Sequence, residues 1–325
     1  MKINLLHVTE FNLITKHFTR PTSSTALGIG DDAALLRVAD GVELVVTTDM
    51  LVSGTHFFAD ADPFLLGHKA LAVNLSDLAA MGATPRWATL ALSLPQADEH
   101  WLSEFSRGFF ALAEQFYVAL VGGDTTRGAL NVCVTAMGEA PRGAALRRDG
   151  AQVGDDIWVS GQLGDAALAL AHLNGEATLS EPDFAACASR LHRPEPRVAL
   201  GLALRGIANS AIDVSDGLLA DLGHILNRSR VAAEIAFADL PVSDALRPHC
   251  SQPVGMRCLL AGGDDYELCF TAPPANRARL AALATKVLNL PLTRIGVITA
   301  GDGCAVRAAD GSVIDMKATG YDHFR

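Results

Sequence analysis

Aspartates paired with glycine or serine recur along the chain and are its best-placed residues for chemistry. They stand at Gly30-Asp31-Asp32, Ser76-Asp77, Gly123-Asp124, Gly154-Asp155-Asp156, Gly164-Asp165, Ser215-Asp216 and Gly263-Asp264-Asp265. Asp49, in "VVTTDM", and Asp213, in "AIDVSDG", join them. One such pair is ordinary turn chemistry. Asp49, Asp124 and Asp213, however, end apolar runs of strand type, and in α/β folds those ends face the ligand crevice. Carboxylates gathered there repel one another unless a hard cation with oxygen ligands lies among them. Gly154-Asp155-Asp156 precedes its strand and follows an Arg/Gly-rich linker, so it reads as a turn.

Asp77 points the same way. A helix over 64–82 places it on one face with Ala70, Val73, Asn74 and Met81. A carboxylate buried on that apolar side needs a cation or hydrogen bonds. Thr47 and Asp49 share one strand face, so they can ligate together; Thr48 faces away and would use its backbone carbonyl or a twisted strand end. Several Mg²⁺ ions imply a polyphosphate, because Mg²⁺ is bound by few carboxylates plus substrate phosphates. In "LGIGDDAALL" (27–36) the glycines bend the backbone and Asp32 aims at the metal, while Asp31 is left between ligand and turn. No G-x-x-x-x-G-K-[ST] loop and no kinase-type HRD or DFG set is present. Arg127 and Arg148 are the leading cations for phosphate, with a plain surface role as the alternative for each.

Alternating strands and helices must carry these residues. Strands are predicted at 42–50, 84–95, 118–124, 130–140, 157–161, 264–273, 292–299, 304–308 and 312–315. Helices are predicted at 63–82, 98–116, from 164 to 173, and at 194–206 with prolines in its first turn. Residues 210–229 read as strand, turn and helix. The Gly/Arg/Asp-rich stretch 141–156 is the best boundary, giving domains 1–143 and 144–325. With 325 residues, half of them hydrophobic, two α/β domains are expected.

The net charge of -10 and the absence of any Lys/Arg run exclude a typical nucleic-acid binder. Six scattered cysteines without a CxxC pair suggest a reducing compartment. The first residues lack a signal-peptide core and no apolar run reaches 18 residues, so a cytoplasmic protein without membrane spans is expected.

"GIGDDAALL", "VVTTDMLVSGTHF", "KALAVNLSDLAAMGATP", "VGGDTTRG", "AIDVSDGLLADLGHI", "GGDDYELCF" and the final "GYDHF" occur in order over nearly the whole chain. Together they resemble the thiamine-monophosphate kinase family, in the aminoimidazole ribonucleotide synthetase-like ATP-binding superfamily. The resemblance implies an α/β (α+β type) fold of two domains. The N-terminal mixed sheet, with its helices, would join a second copy in a dimeric β-barrel. It would bind metal and ATP phosphates, and the C-terminal α/β domain would close on nucleotide and substrate. It implies the last step of thiamine diphosphate biosynthesis: direct in-line transfer from Mg-ATP to thiamine monophosphate, with no acid, base or nucleophile supplied by the protein. Carried over position by position, the metal ligands would be Asp32, Thr47, Thr48, Asp49, Asp77, Asp124, Asp213 and Asp216. ATP contacts would be Gly123, Asp124, Arg148 and Ser215, the last also open to a helix N-cap role. Substrate contacts would be His56, Asp264 and Tyr321. Asp264 stands where family members often carry Glu, and no large aromatic precedes "GYDHF", so Tyr321 or Phe324 would supply the ring face for thiamine.

Another ATP-dependent member of the superfamily is the enzyme alternative. A selenophosphate synthetase is disfavoured because the first cysteine is Cys133, and an aminoimidazole ribonucleotide synthetase is disfavoured by "SGTHF" and "GYDHF". A structural Ca²⁺-binding protein is the non-enzyme alternative, and EF-hand spacing is absent.

Overall fold

The computed structural model describes residues 10–21, 25–315 and 320. The chain forms two compact units, one of Met1–Leu78 with Thr84–Pro141 and one of Ala79–Ala83 with Arg142–Arg325. Both are mixed α/β.

The first unit holds a four-stranded sheet in the order β1-β4-β2-β3, made of β1 (Val42–Val52), β2 (Thr84–Leu94), β3 (Ala119–Arg127) and β4 (Asn131–Pro141). β4 runs antiparallel to both β1 and β2, while β3 runs parallel to β2. A short helix α1 (Glu10–Leu13) precedes the sheet. Helix α2 (Pro63–Ala80) opens with proline, whose missing N–H matters little in a first turn, and Asp62 accepts a hydrogen bond from the Leu65 amide at 3.0 Å. From Leu66 to Ala80 every residue of α2 is buried except the half-buried Asp77. Helix α3 (Glu99–Gln115) is capped by Asp98, which accepts from His100 and Trp101 amides at 2.9 and 3.0 Å. Trp87, Phe105, Phe109, Leu71, Leu75 and Leu78 are the bulk of the core here. The other face of β1 is bare, with Leu44, Val46 and Met50 exposed.

The second unit holds a six-stranded sheet in the order β10-β7-β9-β5-β8-β6. Its strands are β5 (Asp156–Ser160), β6 (Ser210–Asp213), β7 (Ala232–Ala236), β8 (Leu268–Ala272), β9 (Leu292–Thr299) and β10 (Cys304–Arg307). Only the β10–β7 pair is parallel. Around it lie α4 (Asp165–Leu173), α5 (Glu181–His192), α6 (Val198–Leu204), α7 (Leu218–Ser229), α8 (Pro253–Ala261) and α9 (Arg277–Ala282). The Ala79–Ala83 segment is part of this unit: Gly201 on α6 packs so closely on Ala79 that a Cβ would overlap its carbonyl oxygen, and the Leu146 amide donates to Met81 O at 3.0 Å.

Three expectations are corrected. Helix α6 starts only at Val198, so Pro194 and Pro196 precede it instead of filling its first turn. β8 begins at Leu268, because Asp264 and Tyr266 take left-handed backbone angles that no strand accommodates. Val313 forms only an isolated bridge to Arg307, not a strand. The turn expected around 154–156 is present at Val153–Gly154, but Asp155 and Asp156 do more than shape it. Asp156 opens β5, is 1% exposed, and accepts from Arg277 (2.6 Å, twice) and Arg294 (3.4 Å). Asp155 is also buried and accepts from the Gln152 amide, Asn209 and Thr271.

Candidate active site

In the first unit, Thr47 and Thr48 point to opposite faces of β1, as alternation demands. The Thr47 hydroxyl donates to Asp77 Oδ2, linking β1 to α2. Thr48 shares a hydroxyl–hydroxyl bond of 2.8 Å with Thr135, its register partner on β4. Asp49 lies inside β1, which continues to Val52, and Asp124 lies inside β3, which continues to Arg127. The expectation that both aspartates end strands is therefore corrected; Asp213 alone of the three is a last strand residue. β1 and β3 are opposite edges of the sheet. Three inter-strand steps, about 14 Å of backbone, separate Asp49 from Asp124, more than one ion bridges. One chain does not bring these two together.

Gly123 sits at φ +149°, and a Cβ there would overlap the Leu90 carbonyl oxygen on β2. The residue before Asp124 must therefore be glycine for β3 to pair. Asp32 is exposed in the loop that closes with the Leu27–Leu35 bridge, and its amide donates to Asp31 Oδ1 at 3.0 Å. Asp31 thus serves the turn. His56 Nδ1 accepts from the Val52 amide at 3.0 Å, which leaves Nε2 as the donor of the neutral, half-buried ring.

In the second unit, β6 delivers Asp213 to the turn Ser215-Asp216-Gly217 and then α7. Ser215 is not the N-cap; that position is Gly217, without a side-chain cap. Asp221, 3% exposed on α7, accepts from the amides of Ser215, Asp216 and Gly217 at 3.0, 3.0 and 3.1 Å, all on Oδ2. Burial pushes its carboxyl up to about 7 against the pull of those amides. The neighbouring loop holds Asp264 at φ +68° and Tyr266 at φ +50°, both disfavoured for residues with a Cβ. The Asp264 amide donates to Ser215 O at 2.9 Å, the Tyr266 amide to Val214 O at 2.8 Å, and the Tyr266 hydroxyl to Asp264 Oδ1 at 3.0 Å. Asp213 at the end of β6, Ser215 and Asp216 on the following turn and Asp264 on the adjoining loop are thus held together. Asp265 turns instead to the Gly164 amide, which donates to both of its oxygens at 2.9 Å, and its carboxyl is raised well above the usual range by desolvation.

Arg148 lines a cavity of about 400 Å³ with Met81, Arg147, Asp149, His224 and Arg228. Arg147 is paired with Asp149 at 2.6 Å, and Ser229 Oγ donates to the Arg148 carbonyl at 2.8 Å. His224 and Arg228 are one turn apart on α7. Tyr321 and Phe324 lie outside the described residues.

Whether these residues suit Mg²⁺ is a question of donor chemistry. All the side chains named as ligands offer oxygen, the donor Mg²⁺ prefers. Asn74, one turn before Asp77, is fully buried and its Oδ1 has no hydrogen-bond partner, a further oxygen suited to an ion's shell. Among the described residues no three His, Cys, Asp or Glu side chains stand close enough to hold an ion by themselves. Burial raises the thiols of Cys187 to about 12 and of Cys258 and Cys304 to about 11, which makes these three poor nucleophiles.

Sequence reasoning missed Asp221, Asn74, His224 and Arg228. Asp221 was within reach, since it shares the i, i+3, i+4, i+7 face of Leu218, Leu222 and Ile225, the same signal that marked Asp77.

Residues 30–140 match the family described as AIR synthase related protein, N-terminal domain, and residues 152–309 match its C-terminal domain. The thiamine-monophosphate kinase of Escherichia coli K12 is 49% identical over 321 residues, 97% of this chain and 98% of that protein. The crystal structure of thiamine-monophosphate kinase from Stenotrophomonas maltophilia superposes with a TM-score of 0.84 at 54% identity, covering 94% of this chain and 96% of that one. AaThiL, solved in complex with AMPPCP and TMP, gives 0.77 at 32% identity over the whole of both chains. With relatives this similar from end to end, the chain belongs to the thiamine-monophosphate kinase family, among the AIR synthase related proteins.

Proposed function

We propose that the protein transfers the γ-phosphoryl group of ATP to the phosphate of thiamine monophosphate, giving ADP and thiamine diphosphate. The observation that carries this is the match to thiamine-monophosphate kinases over 97% of the chain. On the first unit, Asp32, Thr47, Thr48, Asp49, Asp77 and Asp124 hold Mg²⁺; on the second, Asp213 and Asp216 do. The ions supply charge neutralisation on the phosphates. Gly123, Asp124, Arg148 and Ser215 contact the nucleotide, and the arginines that line the Arg148 cavity suit an anion. His56 offers its Nε2–H to substrate, while Asp264, steadied by Tyr266, offers a carboxylate.

The acceptor is a phosphate oxygen, already ionised near neutral pH, so no side chain need remove a proton. Positioning and electrostatics then supply the rate. The protein works in the cytoplasm, as the thiol usage suggests; among the described residues no helix is long and apolar enough to cross a membrane.

The active form is a homodimer in which two four-stranded sheets close into a barrel. Two features support this. The face of β1 carrying Leu44 (42% exposed), Val46 (55%) and Met50 (54%) is apolar and bare. A two-fold closure that sets β1 of each copy beside β3 of the other removes both free edges and brings Asp49 of one copy towards Asp124 of its partner.

Incubation with Mg-ATP and thiamine monophosphate, followed by chromatography, is expected to yield thiamine diphosphate and ADP in equal amounts. Folded protein that forms neither across a range of Mg²⁺ concentrations would end the kinase reading.

A further inference from the structure

Three consecutive amides that converge at the start of a twelve-residue helix normally form an anion site, and phosphate is the usual guest. In this protein the guest is built in. We propose that Asp221 fills the anion site at the N-terminus of α7 with the chain's own carboxylate and so acts as a positioning residue for the Ser215-Asp216-Gly217 turn.

The geometry makes the site exclusive. Ser215, Asp216 and Gly217 give their N–H groups to one oxygen, Asp221 Oδ2, at 3.0–3.1 Å. That oxygen is beneath the turn, on a residue 3% exposed and anchored among Leu218, Leu222 and Ile225, each 1% exposed or less. With its amides drawn inward, the turn has side chains and carbonyls left for the outer side. The Ser215 carbonyl is also engaged, by the Asp264 amide at 2.9 Å. Two consequences follow. A nucleotide phosphate cannot be cradled by the backbone of residues 215–217, so any contact from Ser215 is made by its hydroxyl. Asp216, whose own amide is one of the three, presents its carboxylate to a metal ion from a pinned backbone. The phosphate-binding loop of other nucleotide enzymes is here converted into a holder for a metal ligand. The inference rests on the kinase reading for the identity of the ion and the nucleotide.

The test compares wild type, Asp221→Ala and Asp221→Asn. Asparagine keeps an acceptor oxygen for the amides; alanine removes it. Mn²⁺ affinity, read by electron paramagnetic resonance in the presence of AMPPCP, should fall roughly tenfold in Asp221→Ala, as should affinity for Mg-ATP read as KM, the scale of one lost charged hydrogen bond. Asp221→Asn should stay within about threefold of wild type, because its amide oxygen still accepts. Hydrogen exchange on the wild type gives an independent reading: the amides of 215–217 should be slow with and without Mg-AMPPCP. A folded Asp221→Ala with unchanged Mn²⁺ affinity and KM would overturn the proposal. So would 215–217 amides that become protected only when nucleotide binds, a result that also decides the matter if Asp221→Ala does not fold. Neither Mn²⁺ binding nor exchange requires thiamine monophosphate, so a wild type that makes no thiamine diphosphate would sink the kinase reading and leave these two measurements to judge Asp221.

Discussion

A carboxylate on the apolar side of a helix needs a donor or a cation. Asp77 and Asp221 answer that need differently. Asp77 faces a threonine hydroxyl across to β1, in the half-buried gap of an otherwise buried helix. Asp221 is saturated by backbone amides and serves the turn above it. Asp49→Asn and Asp124→Asn should each lower kcat/KM by on the order of a hundredfold, the size of losing one preorganised charge at a phosphoryl-transfer site. Their melting temperatures should remain near wild type, since removing charge from a half-exposed or exposed site relieves repulsion when no ion is present. Activity that merely tracks the folded fraction in both variants would remove them from the metal set. The residue types and spacing announced Asp49, Asp77 and Asp124. The same spacing marks Asp221 as a carboxylate on an apolar helix face, but not its partners, three backbone amides that only the turn's shape brings together.

At the scale of elements, the Gly-Asp pairs turn out to be two kinds of object. Some shape exposed turns, as Asp31 does. Others begin or support strands in the second unit, and their charges are buried. Asp156 lies under Arg277 and Arg294, and Glu267, 2% exposed, accepts from Arg197 (Nε, 2.7 Å) and Ser160 (2.5 Å). Asp156→Asn should therefore cost about 1–3 kcal/mol in urea unfolding, through weakened charged hydrogen bonds. Arg197→Met should cost more, about 3–5 kcal/mol, because it strands a buried carboxylate. A silent Asp156→Asn would return that residue to ordinary turn chemistry. Nothing local separates these cases in sequence: "GDD" reads the same at 30–32, 154–156 and 263–265. Strong β-branched runs and long amphipathic helices were legible. Short Ala-rich β7, "AAEIA", was not, since its propensity is that of a helix and its pairing with β9 and β10 decides its conformation.

At the scale of the whole molecule, the two edges of the first sheet set the question. If catalysis draws Asp49 and Asp124 from different copies, mixing the two inactive variants must restore one intact site in each mixed dimer. Refolding an equimolar mixture of Asp49→Asn and Asp124→Asn should recover up to about a quarter of wild-type turnover, as random pairing of symmetric dimers dictates. No recovery, with mixed dimers verified by native mass spectrometry, would place both ligands in one chain. The passage between units at Pro141–Arg142 is marked in composition, by a Gly/Arg/Asp-rich stretch. The allegiance of Ala79–Ala83 is not, because those residues continue a helix. That allegiance bears on how the gene can be cut. A fragment beginning at Arg142 would lack the peptide that lies on Gly201 and the carbonyl that receives the Leu146 amide. Recombination at the obvious linker would thus leave the second half with a vacant slot, and a working chimera must inherit the five-residue insert along with it.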